Sequence, residues 1–199
     1  MINIRNKINE KPYIEFYNLY EKAIFQKQSN IEAICISSFD AELCEAQARY
    51  VNLKIIDGDK WTFFTNYNSP KAQSFEKHKQ ITALFFWRKI NCQIRIKANI
   101  FKSDAEFCNI YFASRDSKKN AIAISSDQSK SINSYDEVIK KYEDTLKNEN
   151  NLNVRPDYWG GYTFEPYYFE FWEGHPSRIN RRHKFENKQN HWHESYLQP

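Results

Sequence analysis

Strict alternation of apolar and polar residues in the middle of the chain restricts the fold more than any other feature. Within the segment INCQIRIKANIFK, every second position is apolar: Cys92, Ile94, Ile96 and Ala98. The positions between them are polar: Gln93, Arg95 and Lys97. Because successive side chains of a β-strand point to opposite faces of a sheet, this pattern predicts a half-buried strand with one polar face.

Several other segments share this strand character. Two runs rich in β-branched and aromatic residues flank Asp57-Gly58 in AQARYVNLKIIDGDKWTFFTN, and such a dipeptide predicts a hairpin. Further strands are predicted in IEAICISSF, QITALFFWR, YWGGYTFEPYYFEFWEG and HWHESYLQP. Because the connections are short, we expect roughly six or more mostly antiparallel strands, closed into a barrel that leaves few exposed edges.

Helices are predicted around this sheet. An N-terminal helix over about residues 12–28 begins beside Pro12 and carries apolar residues at spacings of three and four: Tyr13, Phe16, Tyr20 and Ile24. A short helix in SPKAQSFEKH has Ser69 as its N-cap and Pro70 at its first position. The N-terminal helix is expected to cover the sheet, and the end of the short helix is of the kind that attracts anions.

Two more helices are predicted further along the chain. In SDAEFCNIYFAS, Ser103 and Glu106 have the spacing of a capping box. The segment SYDEVIKKYEDTLKNEN predicts a more polar helix, and ENNLNV, residues 149–154, predicts a solvated loop. The predicted fold class is therefore mainly β with peripheral helices, an antiparallel α+β barrel.

Length and composition favour one globular domain over residues 1–199. A chain of 199 residues is long enough to bury about 70% of its unfolded surface. The formal charge of +4 is too small for the dense basic surface of a nucleic-acid-binding protein. No apolar run approaches the roughly 18 residues that span a bilayer, and the N-terminus has no apolar signal core. We therefore expect a cytoplasmic protein with neither membrane nor nucleic acid as partner.

Several common catalytic motifs are absent from the sequence. Neither GxGxxG nor GxxxxGK[ST] occurs, which excludes the usual glycine-rich phosphate loops. The cysteines form no CxxC pair, and none lies in a context that would activate a nucleophile. His191 and His193 share a face of a predicted strand, but no third ligand has suitable spacing, so no metal site is predicted.

Cations and amides nevertheless recur at predicted strand positions. Each alone is an ordinary solvated residue, whereas together they suit one or two phosphate groups. The set comprises Arg49, Lys54, Thr65, Lys71, Gln93, Arg95, Arg115, Gln128, Arg178 and Arg182. In FEFWEGHPSRINRR, residues 169–182, an extended strand would place Arg178, Asn180 and Arg182 on one face. Trp172 offers a flat apolar surface, so we expect a planar phosphorylated ligand.

The segment FEFWEGHPSRINRR resembles the C-terminal signature of the pyridoxine (pyridoxamine) 5'-phosphate oxidase family, in which E-F-W is followed by R-x-H-x-R. Upstream, RYVNLK, FFTN and NSPKA resemble the family's R-x-V-L-L-K, F-Y-T-N and G-S-R-K-A. INCQIRIKA resembles the strand that carries a flavin-contacting glutamine, and YFASR with SSDQS resembles Y-F-x-S-R with its downstream K-Q-S. The motifs keep their order from about residue 30 to residue 199.

The resemblance implies a split β-barrel homodimer that binds FMN at the subunit interface. It also implies an oxidase that converts pyridoxine or pyridoxamine 5'-phosphate to pyridoxal 5'-phosphate. A hydride equivalent passes to FMN and electrons then pass to O2, with hydrogen peroxide as the product. The expected partners are thus a small phosphorylated pyridine and O2. Because the flavin supplies the chemistry, the protein has to bind, orient and tune it, which fits the absence of a general-base dyad from the sequence.

Site residues follow from the resemblance by motif position. The cofactor-binding positions are Arg49, Tyr50, Val51, Asn52, Leu53, Lys54, Phe64, Thr65, Ser69, Lys71, Gln93, Gln128, Ser129, Trp172 and Arg182. The substrate-binding positions are Lys54, Tyr111, Arg115, Lys119, Arg178 and Asn180. Ser117 is the alternative to Lys119 if the alignment shifts locally. Arg178 and Asn180 are the expected catalytic positions.

Three departures from the family pattern leave the substrate open. Pro70 replaces an arginine, Arg181 replaces an acid, and Asn180 replaces a histidine and cannot become a cation near neutral pH. Three hypotheses follow. The chain is a pyridoxamine 5'-phosphate oxidase, or a flavin oxidase of the same fold for another substrate, such as the reduced tricyclic precursors of phenazine-pathway relatives. The third hypothesis is a flavin- or ligand-binding protein without turnover.

Overall fold

The computed structural model describes residues 1–148 and 152–199. These residues form nine strands and five α-helices: β1 (Asn3–Arg5), α1 (Lys11–Phe25), β2 (Ala33–Asp40), β3 (Glu45–Asp57), β4 (Lys60–Asn66), α2 (Pro70–Lys77), β5 (Gln80–Trp87), β6 (Cys92–Lys102), α3 (Ala105–Ala113), α4 (Ser117–Ser125), α5 (Tyr135–Lys147), β7 (Trp159–Glu173), β8 (Arg181–Lys188) and β9 (His191–Tyr196). The loop predicted over 149–154 falls partly on residues 149–151, which lie outside the described residues.

The strands form one sheet that closes on itself. The ring runs from β3 through β2, β5, β6 and β7 to β4, and β4 returns to β3 because it pairs with both β3 and β7. Every pairing within this ring is antiparallel. Strand β1 lies parallel beside β3, while β8 and β9 extend the sheet beyond β7. The predicted antiparallel barrel is therefore confirmed.

Local sequence signals account for much of the ring. The hairpin between β3 and β4 turns at Gly58, whose φ of +61° suits a residue without a side chain. In β6, the four alternating apolar residues of the sequence pattern are fully buried, and the polar residues between them are half-buried. The predicted faces of this strand are thus confirmed.

Aromatic side chains fill the barrel beneath α1. Phe16 of α1 is fully buried, and its ring centroid lies 4.5 Å from that of Trp61 and 5.7 Å from that of Trp87. Phe85 is a further neighbour at 5.8 Å. Aromatic pairs at these separations stabilise the fold by more than the area they bury accounts for. Helix α1 is therefore packed tightly against the aromatic core of the barrel.

Two helix predictions need correction. Helix α1 begins as predicted but ends at Phe25 rather than near residue 28. The capping box of α3 is wrong, because Asp104 is the N-cap and accepts a hydrogen bond from the amide of Phe107. The Ser103 hydroxyl instead lies 2.8 Å from the Thr163 hydroxyl. Ser69 does stand at the N-cap of α2, although its side chain makes no capping hydrogen bond.

The predicted strand through Arg178, Asn180 and Arg182 is also wrong. Strand β8 begins only at Arg181, and residues 174–180 form a loop. Pro176 has no amide to donate to a strand ladder, and the amide of Arg178 donates to the carbonyl of His175 at 2.9 Å. A turn therefore forms where alternation alone predicted a strand. Among the described helices, none has the length and apolar character needed to cross a membrane.

Candidate functional site

One large pocket lies on the outer face of the barrel, beside β3 and β4. Its volume of about 930 Å³ is within the range usual for ligand sites. The lining residues come from β3, β4, the start of α2, the α3–α4 region, the loop before α5 and the start of β7: Gln47, Arg49, Tyr50, Val51, Asn52, Lys54, Phe64, Thr65, Pro70, Lys71, Tyr111, Ser114, Arg115, Asp116, Lys119, Gln128, Ser129 and Trp159. Five of these are cations and one is an acid, so the pocket suits anions.

Most of the residues assigned by motif position line this pocket. They are Arg49, Tyr50, Val51, Asn52, Lys54, Phe64, Thr65, Lys71, Tyr111, Arg115, Lys119, Gln128 and Ser129. Ser117, the alternative to Lys119, is absent from the lining. The fold therefore gathers residues that are far apart in the sequence into one cavity.

The remaining assigned residues lie elsewhere. The Leu53 side chain is fully buried in the core, so it faces away from any ligand in the pocket. Ser69 is buried behind the pocket and accepts a hydrogen bond from Lys71. The others are on β6, on β7, in the loop before β8 and on β8: Gln93, Trp172, Arg178, Asn180 and Arg182.

Arg49 and Lys71 form the first cationic group of the pocket. Arg49 donates to the Ser38 hydroxyl and to the Gln47 side-chain oxygen, both at 3.3 Å. Lys71 is 7% exposed and donates to Ser69 Oγ at 3.0 Å. Burial, together with the charge of Arg49, lowers the pKa of Lys71 to about 8. Among the described residues neither cation has an acidic partner, so an anion would compensate both charges.

An amide and a hydroxyl border this group. The side-chain oxygen of Gln128 accepts hydrogen bonds from the Thr65 hydroxyl and from the amide of Asn66, both at 3.3 Å. Within the described residues the Gln128 NH2 group has no acceptor, so it can donate to a ligand in the pocket. Ser129 follows with a φ of +71°, a left-handed conformation that is uncommon for serine. The two residues thus add neutral polar groups to the cations.

The other three cations of the pocket are Lys54, Arg115 and Lys119, which we call the second cationic group, and Tyr111 lines the same pocket. Lys54 lies 3.7 Å from Glu32 in an ion pair. Arg115 donates to the carbonyl of Lys119 at 3.0 Å. The ring of Tyr111 stacks on that of Phe64, with centroids 3.7 Å apart. The pocket therefore combines a flat apolar surface with these three cations.

A separate charge network lies on the sheet outside the pocket. Glu170 of β7 is buried and binds both Arg95 and Arg182, with Arg182 Nη2 at 2.8 Å. Tyr168 donates to the same carboxylate at 2.9 Å. Burial opposes ionisation, but the hydrogen bonds from Arg95, Arg182 and Tyr168 hold the pKa of Glu170 below its usual range. Glu170 thereby fixes Arg182 next to Trp172, its partner in the β7–β8 register.

The loop before β8 has its own organisation. The Asn180 side-chain oxygen accepts a hydrogen bond from the amide of His175 at 3.0 Å. The imidazole of His175 accepts one from the amide of Ser177 at 3.1 Å. Arg178 is exposed in this loop and has a φ of +64°. Asn180 is thus engaged in holding the loop that presents Arg178.

Four pocket residues were missed by sequence reasoning: Gln47, Ser114, Asp116 and Trp159. Gln47 could have been predicted, because it is two residues from Arg49 and lies on the same face of the strand. Asp116 caps α4 by accepting from the amide of Lys118. The sequence around Trp159 did not mark it as a pocket residue, since aromatic residues are frequent in this chain.

Known proteins resemble the chain over nearly its whole length. A pyridoxine/pyridoxamine 5'-phosphate oxidase of Haemophilus influenzae is 33% identical over 192 residues, which is 96% of this chain and 90% of the relative. One from Hydrogenovibrio crunogenus is 31% identical over 182 residues, covering 92% and 84% of the two chains. The chain belongs to the pyridoxine/pyridoxamine 5'-phosphate oxidase family. It is an oxidoreductase of that family.

Solved structures show the same fold. PhzG from Burkholderia lata 383, solved in complex with tetrahydrophenazine-1-carboxylic acid, superposes with a TM-score of 0.89 at 22% identity, covering 95% of this chain and 93% of PhzG. A pyridoxamine 5'-phosphate oxidase-related, FMN-binding protein of Nostoc punctiforme gives a TM-score of 0.77 at 12% identity, covering 96% and 100%. The predicted split barrel is therefore confirmed.

One part of the chain also matches a family model. Residues 159–199 match the pyridoxine 5'-phosphate oxidase C-terminal dimerisation region. This stretch contains β7, β8 and β9 and the loop between β7 and β8. In this member of the oxidase family, four assigned site residues that lie outside the pocket thus fall in the matched region: Trp172, Arg178, Asn180 and Arg182.

Proposed function

We propose that the protein is an FMN-dependent oxidase that converts pyridoxamine or pyridoxine 5'-phosphate to pyridoxal 5'-phosphate, with O2 as the acceptor and hydrogen peroxide as the product. The observation that supports it most is the pocket itself, in which two cationic groups lie beside stacked aromatic rings. The pocket has an excess of cations over acids, and a flavin phosphate together with a substrate phosphate would balance it. Family membership supplies the reaction class.

The residues of the first cationic group fit FMN. Arg49 and Lys71 are partly or fully buried cations without acidic partners among the described residues, and they suit the phosphate. Gln128 and Ser129 offer neutral hydrogen-bonding groups at the same wall. The chemistry that FMN supplies when bound is acceptance of a hydride equivalent and transfer of electrons to O2. The chain's own contribution is to hold the phosphate and to orient the ring.

The second cationic group is assigned to the substrate phosphate. Lys54, Arg115 and Lys119 supply charge, and the Tyr111 hydroxyl supplies a hydrogen bond. Lys119 takes this role rather than Ser117, because Lys119 lines the pocket. Phosphate recognition distinguishes this function from oxidation of an uncharged ring.

A homodimer completes the proposed site. The pocket of one chain lacks Gln93, Trp172, Arg178, Asn180 and Arg182, and four of these lie in the region that matches a dimerisation region. We assign them to the pocket of the other subunit, with the partner subunit's Arg182 and Trp172 at the flavin and the partner subunit's Arg178 at the substrate ring. In this arrangement Asn180 acts by holding the loop that carries Arg178.

A second candidate function is oxidation of another substrate in the same pocket. The side-chain oxygen of Asn180 already accepts a hydrogen bond from the backbone amide of His175, and the structural neighbour PhzG was solved with a tetrahydrophenazine carboxylic acid. A carboxylate needs fewer cations than a phosphate dianion, so the three cations beside Tyr111 favour the phosphorylated pyridine. Flavin binding without turnover is the third candidate, motivated by Pro70 at the pocket wall.

Purification and one assay separate these functions. We expect a yellow protein that releases FMN on denaturation and forms hydrogen peroxide with pyridoxamine 5'-phosphate but not with pyridoxamine. A yellow protein active only on a reduced tricyclic carboxylic acid would select the second candidate. A yellow protein that is inactive on both would select the third, and failure to take up added FMN would contradict all flavin functions.

FMN affinity is expected to decrease above pH 8. Lys71 must be protonated to bind the phosphate, and its pKa of about 8 in the free protein rises when the anion binds. Affinity is therefore full below pH 8, and the dissociation constant should be roughly ten- to thirtyfold higher at pH 9.5 than at pH 7. Titration of the apoprotein with FMN, followed by flavin fluorescence, measures this. A pH-independent affinity up to pH 9.5 would contradict the assignment of Lys71.

A further inference from the structure

Trp159 occupies the wall between the main pocket and an adjoining cavity of about 240 Å³. Arg115 and Lys119 line both cavities as well. Trp159 is the first residue of β7 and is 6% exposed. It is therefore a buried side chain beside two members of the second cationic group, Arg115 and Lys119.

The orientation of the Trp159 ring is fixed from several sides. It is nearly parallel to Phe64, with centroids 5.3 Å apart, and meets the edge of Phe112 at 4.9 Å. Its backbone carbonyl accepts a hydrogen bond from Arg155 Nη1 at 2.6 Å. Gly160 follows, and a Cβ there would lie 2.0 Å from the Tyr67 hydroxyl, so the chain is closely packed at this point. The indole thus presents a fixed face.

Arg115 rests on that face. The guanidinium carbon lies 4.3 Å from the centroid of the Trp159 ring and 5.3 Å from that of Phe112. Nη2 donates to the carbonyl of Lys119, whereas Nη1 is buried and has no acceptor within the described part of the chain. No carboxylate there forms an ion pair with Arg115. Its long side chain is therefore held by an aromatic surface and one carbonyl rather than by an acid.

We propose that Trp159 is a positioning residue for phosphate recognition: its indole face holds the Arg115 guanidinium in place for the substrate phosphate. This inference rests on the proposed function and adds to it the residue that fixes the phosphate-binding cation. A carboxylate partner would also hold the guanidinium, but it would neutralise the charge that the phosphate needs. A π-face fixes the cation and leaves its charge available.

Binding of pyridoxal 5'-phosphate to the FMN-loaded protein tests this by calorimetry. Trp159→Leu removes the π-face, and we expect the dissociation constant to rise about tenfold, whereas Trp159→Phe keeps a smaller π-face and should raise it about threefold. Binding of unphosphorylated pyridoxal should be the same in all three proteins. Flavin absorbance and the thermal midpoint verify that each variant is folded and loaded.

A double-mutant cycle shows whether Trp159 acts through Arg115. In the Arg115→Ala background, Trp159→Leu should change the dissociation constant by less than about twofold, because the guanidinium is already gone. The inference would be overturned if Trp159→Leu lowered the affinity equally in both backgrounds, or if Trp159→Leu alone kept the wild-type affinity. Either result would leave the proposed function intact. Failure of the wild-type holoprotein to bind pyridoxal 5'-phosphate would overturn the proposed function, and with it the ligand named here.

Discussion

Lys71→Met is expected to raise the dissociation constant of FMN by about a hundredfold while making the apoprotein more stable by about 2 kcal/mol. The two effects have one cause. In the free protein Lys71 is a buried cation beside Arg49, and burial lowers its pKa to about 8. Methionine has a similar length and no charge, so it removes this unfavourable burial. It also removes one of the two cations assigned to the FMN phosphate.

FMN titration and urea denaturation of the apoprotein measure the two quantities. Lys77→Met is the matched control, because Lys77 lies in the same helix but is exposed and outside the pocket. This control should leave FMN binding unchanged. In Lys71→Met the remaining affinity should no longer depend on pH between 7 and 9.5. Unchanged FMN affinity in Lys71→Met would contradict the assignment of the first cationic group.

The second large effect is expected at Arg115. We expect Arg115→Ala to raise the KM for pyridoxamine 5'-phosphate by about 30- to 150-fold, because charge-assisted hydrogen bonds to a phosphate contribute about 2–3 kcal/mol. We assign Arg115 to the substrate phosphate and not to the flavin, so FMN content and kcat at saturation should change little. Steady-state peroxide formation as a function of substrate concentration measures KM and kcat separately.

Lys118→Ala serves as the control for Arg115→Ala. Lys118 is three residues along the chain and exposed, and it is absent from the pocket lining. It should keep the wild-type KM, which excludes a general effect of lowering the positive charge of this region. A lower kcat with an unchanged KM in Arg115→Ala would mean that Arg115 does not bind the substrate phosphate.

The sequence was sufficient for features that depend on neighbouring residues. Alternation in β6 and the Asp57-Gly58 turn predicted elements that the structure confirms, because strand faces and tight turns are set locally. The pairing of β4 with β7 is not local, since it joins Trp61 to Phe164. The closure of the sheet into a barrel was predicted only from the general rule that unpaired edge strands are unfavourable.

The wrong predictions arose where two local signals competed. Ser103 and Asp104 are both good N-cap residues, and Asp104 caps α3 because the Ser103 hydroxyl is engaged with Thr163. In the segment before β8, alternating polar residues favoured a strand, but Pro176 and the hydrogen bonds to His175 formed a turn instead. Neither outcome is decided by pattern alone.

In the candidate site, too, local motifs could be predicted and contacts between distant segments could not. Motif positions identified most pocket residues, and the motifs RYVNLK and FFTN each lie on one strand that borders the cavity. Trp159 was not identified, because its importance comes from Phe64 on β4 and Arg115 after α3, which meet it only in the folded chain. Gln93 and Trp172 pair with each other on the sheet, outside the pocket of their own chain.

The closing strand β4 belongs both to the wall of the pocket and to the ring of the barrel. Phe64 and Thr65 line the pocket and at the same time pair with Gly161 and Gly160 of β7 along the seam of the ring. Opening that seam would dismantle the pocket wall, so a bound ligand must be released first. Ligand binding therefore raises the free energy needed to open the pairing of β4 with β7. Amide hydrogen exchange along β4 should accordingly slow as ligand saturation increases.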